Sequence, residues 1–116
     1  GKDCGVPVLA GRWWLQTVPE AHAVVALDVS DPARPREVSR VTLGEDEAPH
    51  WLAIDASGRR LVVNSAGWGG SNRIFLLDLD PATGAVTLDA RFRDAGAARP
   101  GVRFSARRWP DGTVFT

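Results

Sequence analysis

The sequence predicts an all-β fold, and three observations carry that expectation. Short apolar or alternating runs recur between turn residues, roughly every 8–12 positions, as strands do in sheet proteins. No apolar pattern of helical period survives that punctuation. The third observation is internal repetition. One stretch reads Val24-Val25-Ala26-Leu27-Asp28-Val29-Ser30-Asp31-Pro32 and continues through Glu37-Val38-Ser39-Arg40-Val41-Thr42-Leu43. Some 50 residues later the chain reads Ile74-Phe75-Leu76-Leu77-Asp78-Leu79-Asp80-Pro81 and continues through Ala85-Val86-Thr87-Leu88-Asp89-Ala90-Arg91-Phe92. Each copy runs an apolar strand into an Asp, then a further apolar residue, then a second Asp followed by Pro. A repeat of roughly 40–50 residues made of short strands is the signature of a β-propeller blade, an antiparallel four-stranded sheet.

The elements follow in order. Strands are expected at 6–9 and 12–18, then at 22–30 and 37–43, the two strands of the first copy. Ser57-Gly58 separates Trp51-Leu52-Ala53-Ile54 from Leu61-Val62-Val63 and predicts a tight hairpin between strands 50–55 and 60–65, with Gly58 at positive φ. The second copy supplies strands 72–79 and 85–92, joined by Asp80-Pro81-Ala82-Thr83-Gly84, a type I turn closed by a left-handed glycine. In its first strand Leu76, Asp78 and Asp80 share one face, and Phe75, Leu77 and Leu79 share the other. Such a strand is buried on one face and at least half buried on its other, as in stacked sheets. Residues 95–101 read as a loop. Asp111-Gly112 predicts a last hairpin between strands 102–107 and 113–116.

These strands group into one blade at 6–44, a complete blade at 49–93, and at 102–116 the opening hairpin of a third. A propeller closes with about four to eight blades. A sheet pair alone leaves apolar faces and strand edges open. The expected partners are therefore further blades, supplied by the rest of a longer chain or by other copies. The chain contains no Met, which fits a processed end or an internal cut at Gly1.

Composition excludes several function classes. The 116 residues are 44% hydrophobic and 24% charged, as in ordinary globular proteins, with zero formal net charge. That balance argues against a nucleic-acid binder, which would carry a basic excess. Arginines cluster locally, at Arg34/Arg36/Arg40, Arg59/Arg60, Arg91/Arg93 and Arg99/Arg103/Arg107/Arg108. They read as a solvated surface, with an anion-binding loop rim as the alternative. The single Cys4 cannot form an internal disulfide. No apolar run reaches the length of a membrane span, and no signal peptide is visible. The expectation is a soluble chain, cytoplasmic or periplasmic/secreted after processing.

Two segments resemble known families. Pro49-His50-Trp51-Leu52-Ala53-Ile54-Asp55-Ala56-Ser57-Gly58-Arg59-Arg60-Leu61-Val62-Val63 resembles the strand pair of YVTN-type, lactonase-like propellers. Leu27-Asp28-Val29-Ser30-Asp31-Pro32-Ala33-Arg34-Pro35 resembles the corresponding element of selenium-binding-protein-like propellers. The likeness covers most of residues 22–92. The second family includes methanethiol oxidases with histidine-bound copper. The resemblance therefore implies a metal-dependent oxidoreductase or small-molecule enzyme acting at a propeller axis, with a transition metal such as copper as cofactor. No complete histidine cluster is present in this chain, and Cys4 lies in no matching motif.

The candidate site residues are few. His50 opens a strand that would line a propeller channel, where imidazoles from several blades could hold a metal. The bland alternative is a histidine that fixes the strand start by hydrogen bonding. One histidine is not a site, since a metal needs three or four ligands. His22, at the start of another strand, is the second metal-ligand candidate. Trp68, in the glycine-rich segment Gly67-Trp68-Gly69-Gly70-Ser71, is the candidate binding anchor. Of the five tryptophans, Trp13, Trp14 and Trp51 read as core or inter-blade packing. Asp28 and Asp78 occupy equivalent places and read as structural carboxylates accepting backbone or Arg hydrogen bonds. Glu45-Asp46-Glu47 reads as a solvated loop, with a divalent-cation contact as its alternative. There is no phosphate loop, G-x-S-x-G elbow, H-E-x-x-H or C-x-x-C. The second reading of function is a non-catalytic propeller scaffold for protein or carbohydrate binding.

Overall fold

The computed structural model describes residues 5–65, 71–104 and 110–113. Among them the chain is all-β, built as two open antiparallel sheets. Strands β1 (Val8–Ala10), β2 (Trp13–Val18), β3 (Ala23–Asp28) and β4 (Arg36–Thr42) form the first, in chain order. The second runs β5 (Pro49–Ile54), β6 (Arg60–Ser65), β7 (Arg73–Leu79) and β8 (Val86–Leu88). Strand β9 (Val102–Arg103) pairs the start of β7, on the edge whose other end carries β8. One 3-10 turn, Pro19–Ala21, is the only helical element among the described residues.

The expected strands form, with two differences. The strand expected at 85–92 ends at Leu88. Asp89 stops it by folding its carboxylate back onto the backbone N–H of Arg91, at 2.9 Å, which turns the chain out of the ladder. Of the last expected hairpin only Val102–Arg103 is seen as strand; 105–109 and 114–116 lie outside the described residues. The turns hold as expected. Gly58 sits at φ 71° and Gly84 at φ 76°. Asp80 accepts the backbone N–H groups of Thr83 and Gly84 through its carbonyl.

The two sheets stack in phase. Strands β1 and β2 lie against β5, and β4 lies against β8. The shared core contains Trp13, Leu15, Val24 and Ala26 from the first sheet, and Leu52, Leu61, Val63, Phe75 and Leu77 from the second. Directional contacts fix the seam. Trp13 Nε1 donates to the carbonyl of Pro81 at 2.8 Å. Ser39 Oγ donates to the carbonyl of Gly84 at 2.6 Å and accepts the Val86 N–H at 3.2 Å. A side chain on Gly84 would strike the Trp13 ring, 2.7 Å from where its Cβ would sit, so close approach demands glycine there as much as φ does.

Pairing defines which positions of the two sheets correspond. Trp13 faces Asp28 across β2 and β3, and Arg60 faces Asp78 across β6 and β7. Aligning on these aspartates matches Trp14 with Leu61, Leu15 with Val62, Leu27 with Leu77 and Ala26 with Leu76. The first sheet buries Trp13, Leu15, Val24 and Ala26 against its neighbour; the second buries Leu61, Val63, Phe75 and Leu77. Those sets have opposite parity. The same repeat therefore turns opposite faces to the seam, so the sheets stack head to tail rather than face to face about a two-fold axis.

Candidate functional site

His50 and Trp51 lie at an irregularity in the edge strand of the second sheet. Pro49 pairs Ser65 and Leu52 pairs Val63, so His50 and Trp51 together oppose Asn64. That extra residue is a β-bulge, a device that re-aims side chains and recurs beside functional sites. The bulge is held by polar groups in place of the lost ladder bonds. Asn64 Oδ1 accepts the Trp51 N–H at 2.7 Å, and Ser65 Oγ accepts the Ala48 N–H at 2.8 Å. From the first sheet, Thr17 Oγ1 donates to the His50 carbonyl at 3.0 Å. Gly5 passes so close that a Cβ there would collide with both Thr17 Oγ1 and the His50 carbonyl.

The His50 ring makes no hydrogen bond among the described residues. It packs edge-on against Trp51, with ring centroids 5.3 Å apart and planes at 69°. Trp51 itself is 55% exposed. Neither Trp51 nor Trp14 joins the core shared by the two sheets; Trp14 lies at the surface with Nε1 donating to Gln16 Oε1. Both stand on the side of their strand turned away from the seam. Trp13 alone of the three is buried, with the Arg12 guanidinium 4.3 Å above its ring.

His22 holds a turn. It ends the Pro19–Ala21 turn at φ 55°, its N–H donating to the carbonyl of Pro19. Its Nδ1 lies 2.7 Å from the carbonyl of Glu47, which places the proton on that nitrogen. His22 thus holds the segment that leads into His50, through the Glu47 carbonyl. Among the described residues no three of His, Cys, Asp and Glu gather as a metal site. Trp68 and Cys4 lie outside the described residues.

Beside His22 the structure holds a charged cluster that the sequence did not reveal. Glu47 is buried, 1% exposed, rather than solvated with Glu45 and Asp46. Its carboxylate accepts from Arg99 at 2.8 Å and from Ser71 Oγ at 2.6 Å, and Arg73 Nε lies 3.9 Å away. The same Arg73 Nε is buried without a hydrogen-bond partner among the described residues, while its NH1 donates to the Gly101 carbonyl. Partners from 71–73 and 99 are 24 to 52 residues away in sequence, which is why local pattern missed the cluster.

The repeated aspartates are structural, as expected. Asp28 accepts the hydroxyl and then the backbone N–H of Ser30, which hold its carboxyl below the usual range, with Arg12 and Arg36 at 3.9 and 3.7 Å adding to the effect. Asp78 accepts from Arg60 NH1 at 3.0 Å. The other guanidinium nitrogen of Arg60 reaches Asp89 at 2.7 Å. The Arg91 N–H, then Arg60 and the Arg91 side chain, push the Asp89 carboxyl down to about 2.

No protein-family model matches the chain, and no curated protein matches it. Among solved structures it is similar to a hypothetical selenium-binding protein from Sulfolobus tokodaii, with a TM-score of 0.63 at 20% identity. The match covers 74% of this chain and 24% of that one, so the chain spans about a quarter of its structural neighbour. At that identity the likeness is one of fold. No helix among the described residues is long and apolar enough to cross a membrane.

Proposed function

We propose that this chain forms two adjoining blades of a β-propeller resembling selenium-binding-protein-like proteins, and that it works as part of the completed ring. One observation carries the reading: the repeated sheets stack head to tail and in phase, the only way identical units can continue around an axis. The likeness to part of a longer selenium-binding protein supports the same reading. In that ring the edge strand bearing His50 lies toward the axis, and the ring as a whole is a metal-dependent oxidoreductase or small-molecule enzyme.

The described residues do not by themselves fit a metal. His22 spends Nδ1 on the Glu47 carbonyl, and no third donor group stands near among the described residues. A metal held by the ring would take His50 from this chain and its remaining ligands from other blades.

The architecture is tested inside the chain by solution NMR. Expected contacts join the Trp13 indole to Pro81 and Val38 to Gly84, across the seam. Contacts between β1 and β8 instead would overturn the blade reading. The chemistry is tested on the assembled protein by copper electron paramagnetic resonance. A nitrogen coupling lost in His50→Ala supports the ligand role, and an unchanged spectrum overturns it. An intact ring that holds no stoichiometric metal favours the binding scaffold.

A further inference from the structure

At the end of β5 away from His50, three turns meet across the seam. The β1–β2 turn at Gly11, the β5–β6 turn at Ser57 and Gly58, and the loop after β7 at Pro81 and Ala82 surround a pocket of about 530 Å³. That volume is in the range of small-molecule sites. Residues of both sheets line the pocket, and Arg12 is the one charged residue among them. Its guanidinium lies 4.3 Å from the centre of the Trp13 ring, and Nε1 of that indole is tied to the Pro81 carbonyl. The Arg12 side chain makes no hydrogen bond among the described residues. Its ion-pair partner Asp28 stands 3.9 Å from Nε and is engaged by Ser30. The acids nearest in sequence to the pocket are spent on their own turns: Asp55 accepts the Ser57 hydroxyl and the Arg60 N–H, and Asp80 accepts the Ala82 N–H. The pocket is also where the repeat departs from itself. Trp13 faces the repeated aspartate of the first sheet where Arg60 faces that of the second. Arg60 binds Asp78 and Asp89, whereas Trp13 carries Arg12 on its ring and leaves that guanidinium open.

We infer that this pocket binds a small organic carboxylate, with the carboxylate on Arg12 and an apolar body against Leu79, Pro81 and Ala82. A guanidinium presents a planar fork that matches a carboxylate with two parallel hydrogen bonds. Stacking on a fixed indole orients that fork before the ligand arrives, which lowers the entropy lost on binding. The charge selects an anion, and the apolar walls select one with a body over a bare inorganic ion. The site needs the seam between the two sheets, which this chain forms by itself, and it needs neither His50 nor a metal. It therefore goes beyond the reading of the ring as an enzyme and stands apart from it.

The experiment is a titration of this chain followed by nitrogen-15 NMR, with benzoate as the probe. Benzamide, which keeps the shape without the charge, and inorganic phosphate, which keeps a charge without the body, are the controls. Benzoate should move the Trp13 indole N–H and the amides of Gly11, Gly58 and Ala82 along one saturable curve. Benzamide and phosphate should each bind at least about tenfold more weakly, as expected when a charge-assisted fork and an apolar wall both contribute. Arg12→Gln should weaken benzoate by a similar factor, and Arg12→Lys by less. Ala82→Phe, at an exposed position, fills the pocket with Arg12 intact and should also remove binding. Benzoate shifts that do not saturate or that fall elsewhere overturn the inference. So do benzamide or phosphate binding as tightly as benzoate, or Arg12→Gln and Ala82→Phe leaving benzoate unchanged. Seam contacts intact in a chain that does not bind benzoate would sink this inference alone; seam contacts absent would sink the blade reading with it.

Discussion

The two sheets come from one repeat, yet one buries the face that the other exposes. Leu27 and Leu77 occupy the same repeat position; Leu77 is completely buried and Leu27 only half-buried at the surface. The difference lies in neighbours rather than in sequence. Each sheet has two apolar faces, and the described residues cover one of each at the seam. Burial in a repeat is set by stacking, so the same residue is worth different amounts in successive copies.

That contrast gives the largest expected effect. Leu77→Ala should cost about 2–5 kcal/mol, the usual range for a fully buried leucine. Leu27→Ala should cost less than about half of that in the isolated chain, because little area is lost and no closed cavity forms. Urea unfolding of both variants measures the difference. Equal losses at low concentration would mean that the first sheet's outer face is already covered.

A second pair separates the seam from the periphery. Gly84 and Gly58 have nearly the same positive φ, 76 and 71°. A Cβ on Gly58 meets nothing within 4 Å, whereas one on Gly84 meets Trp13 and Val38. Gly58→Ala should cost about 1–2 kcal/mol, the price of a left-handed residue. Gly84→Val adds a β-branched side chain to that strain and pushes the sheets apart, for a loss of about 3 kcal/mol or more. An unchanged melting temperature for Gly84→Val would refute the turn and the seam together.

Much of this was legible before the structure, and the rest was not for physical reasons. The period-2 pattern and the turn residues located the strands because both are local. The Asp80–Gly84 turn could be read in detail because backbone sterics alone dictate glycine at its end. Buried Trp13 could not be told from exposed Trp14 and Trp51, because alternation says that a strand has two faces but not which is covered. Glu47 was misjudged because its partners Arg73 and Arg99 arrive from other parts of the chain. The bulge that re-aims His50 depends on Asn64 and Ser65, on a different strand, and leaves no mark around His50 itself.

The charged cluster at Glu47 ties the loop before the second sheet to β7 and to the loop before β9. Glu47→Gln keeps the shape but removes the charge facing Arg99 and Arg73. The expected loss is about 1.5–3 kcal/mol, that of charged hydrogen bonds to a buried acceptor. Thermal unfolding checks it. A neutral effect would show that the arginines find other partners.

The smallest effect separates the sheets by pH. In the first sheet the repeated aspartate has only loose arginine neighbours, at 3.9 and 3.7 Å. In the second, Arg60 bridges Asp78 and Asp89 at 3.0 and 2.7 Å, and the Asp89 carboxyl stands at about 2, below its ordinary 3.8. A depressed carboxyl binds its proton more readily in the unfolded chain. Its stabilisation is complete above the unfolded value, near 4, and is lost as pH falls from there toward 2. The wild-type melting temperature should therefore drop through that window. Asp89→Asn should start lower at neutral pH and drop less, so that the two curves converge in acid. Asp28→Asn should narrow the drop less than Asp89→Asn does. Parallel curves for wild type and Asp89→Asn would show that the Arg60 bridge does not tell the two sheets apart.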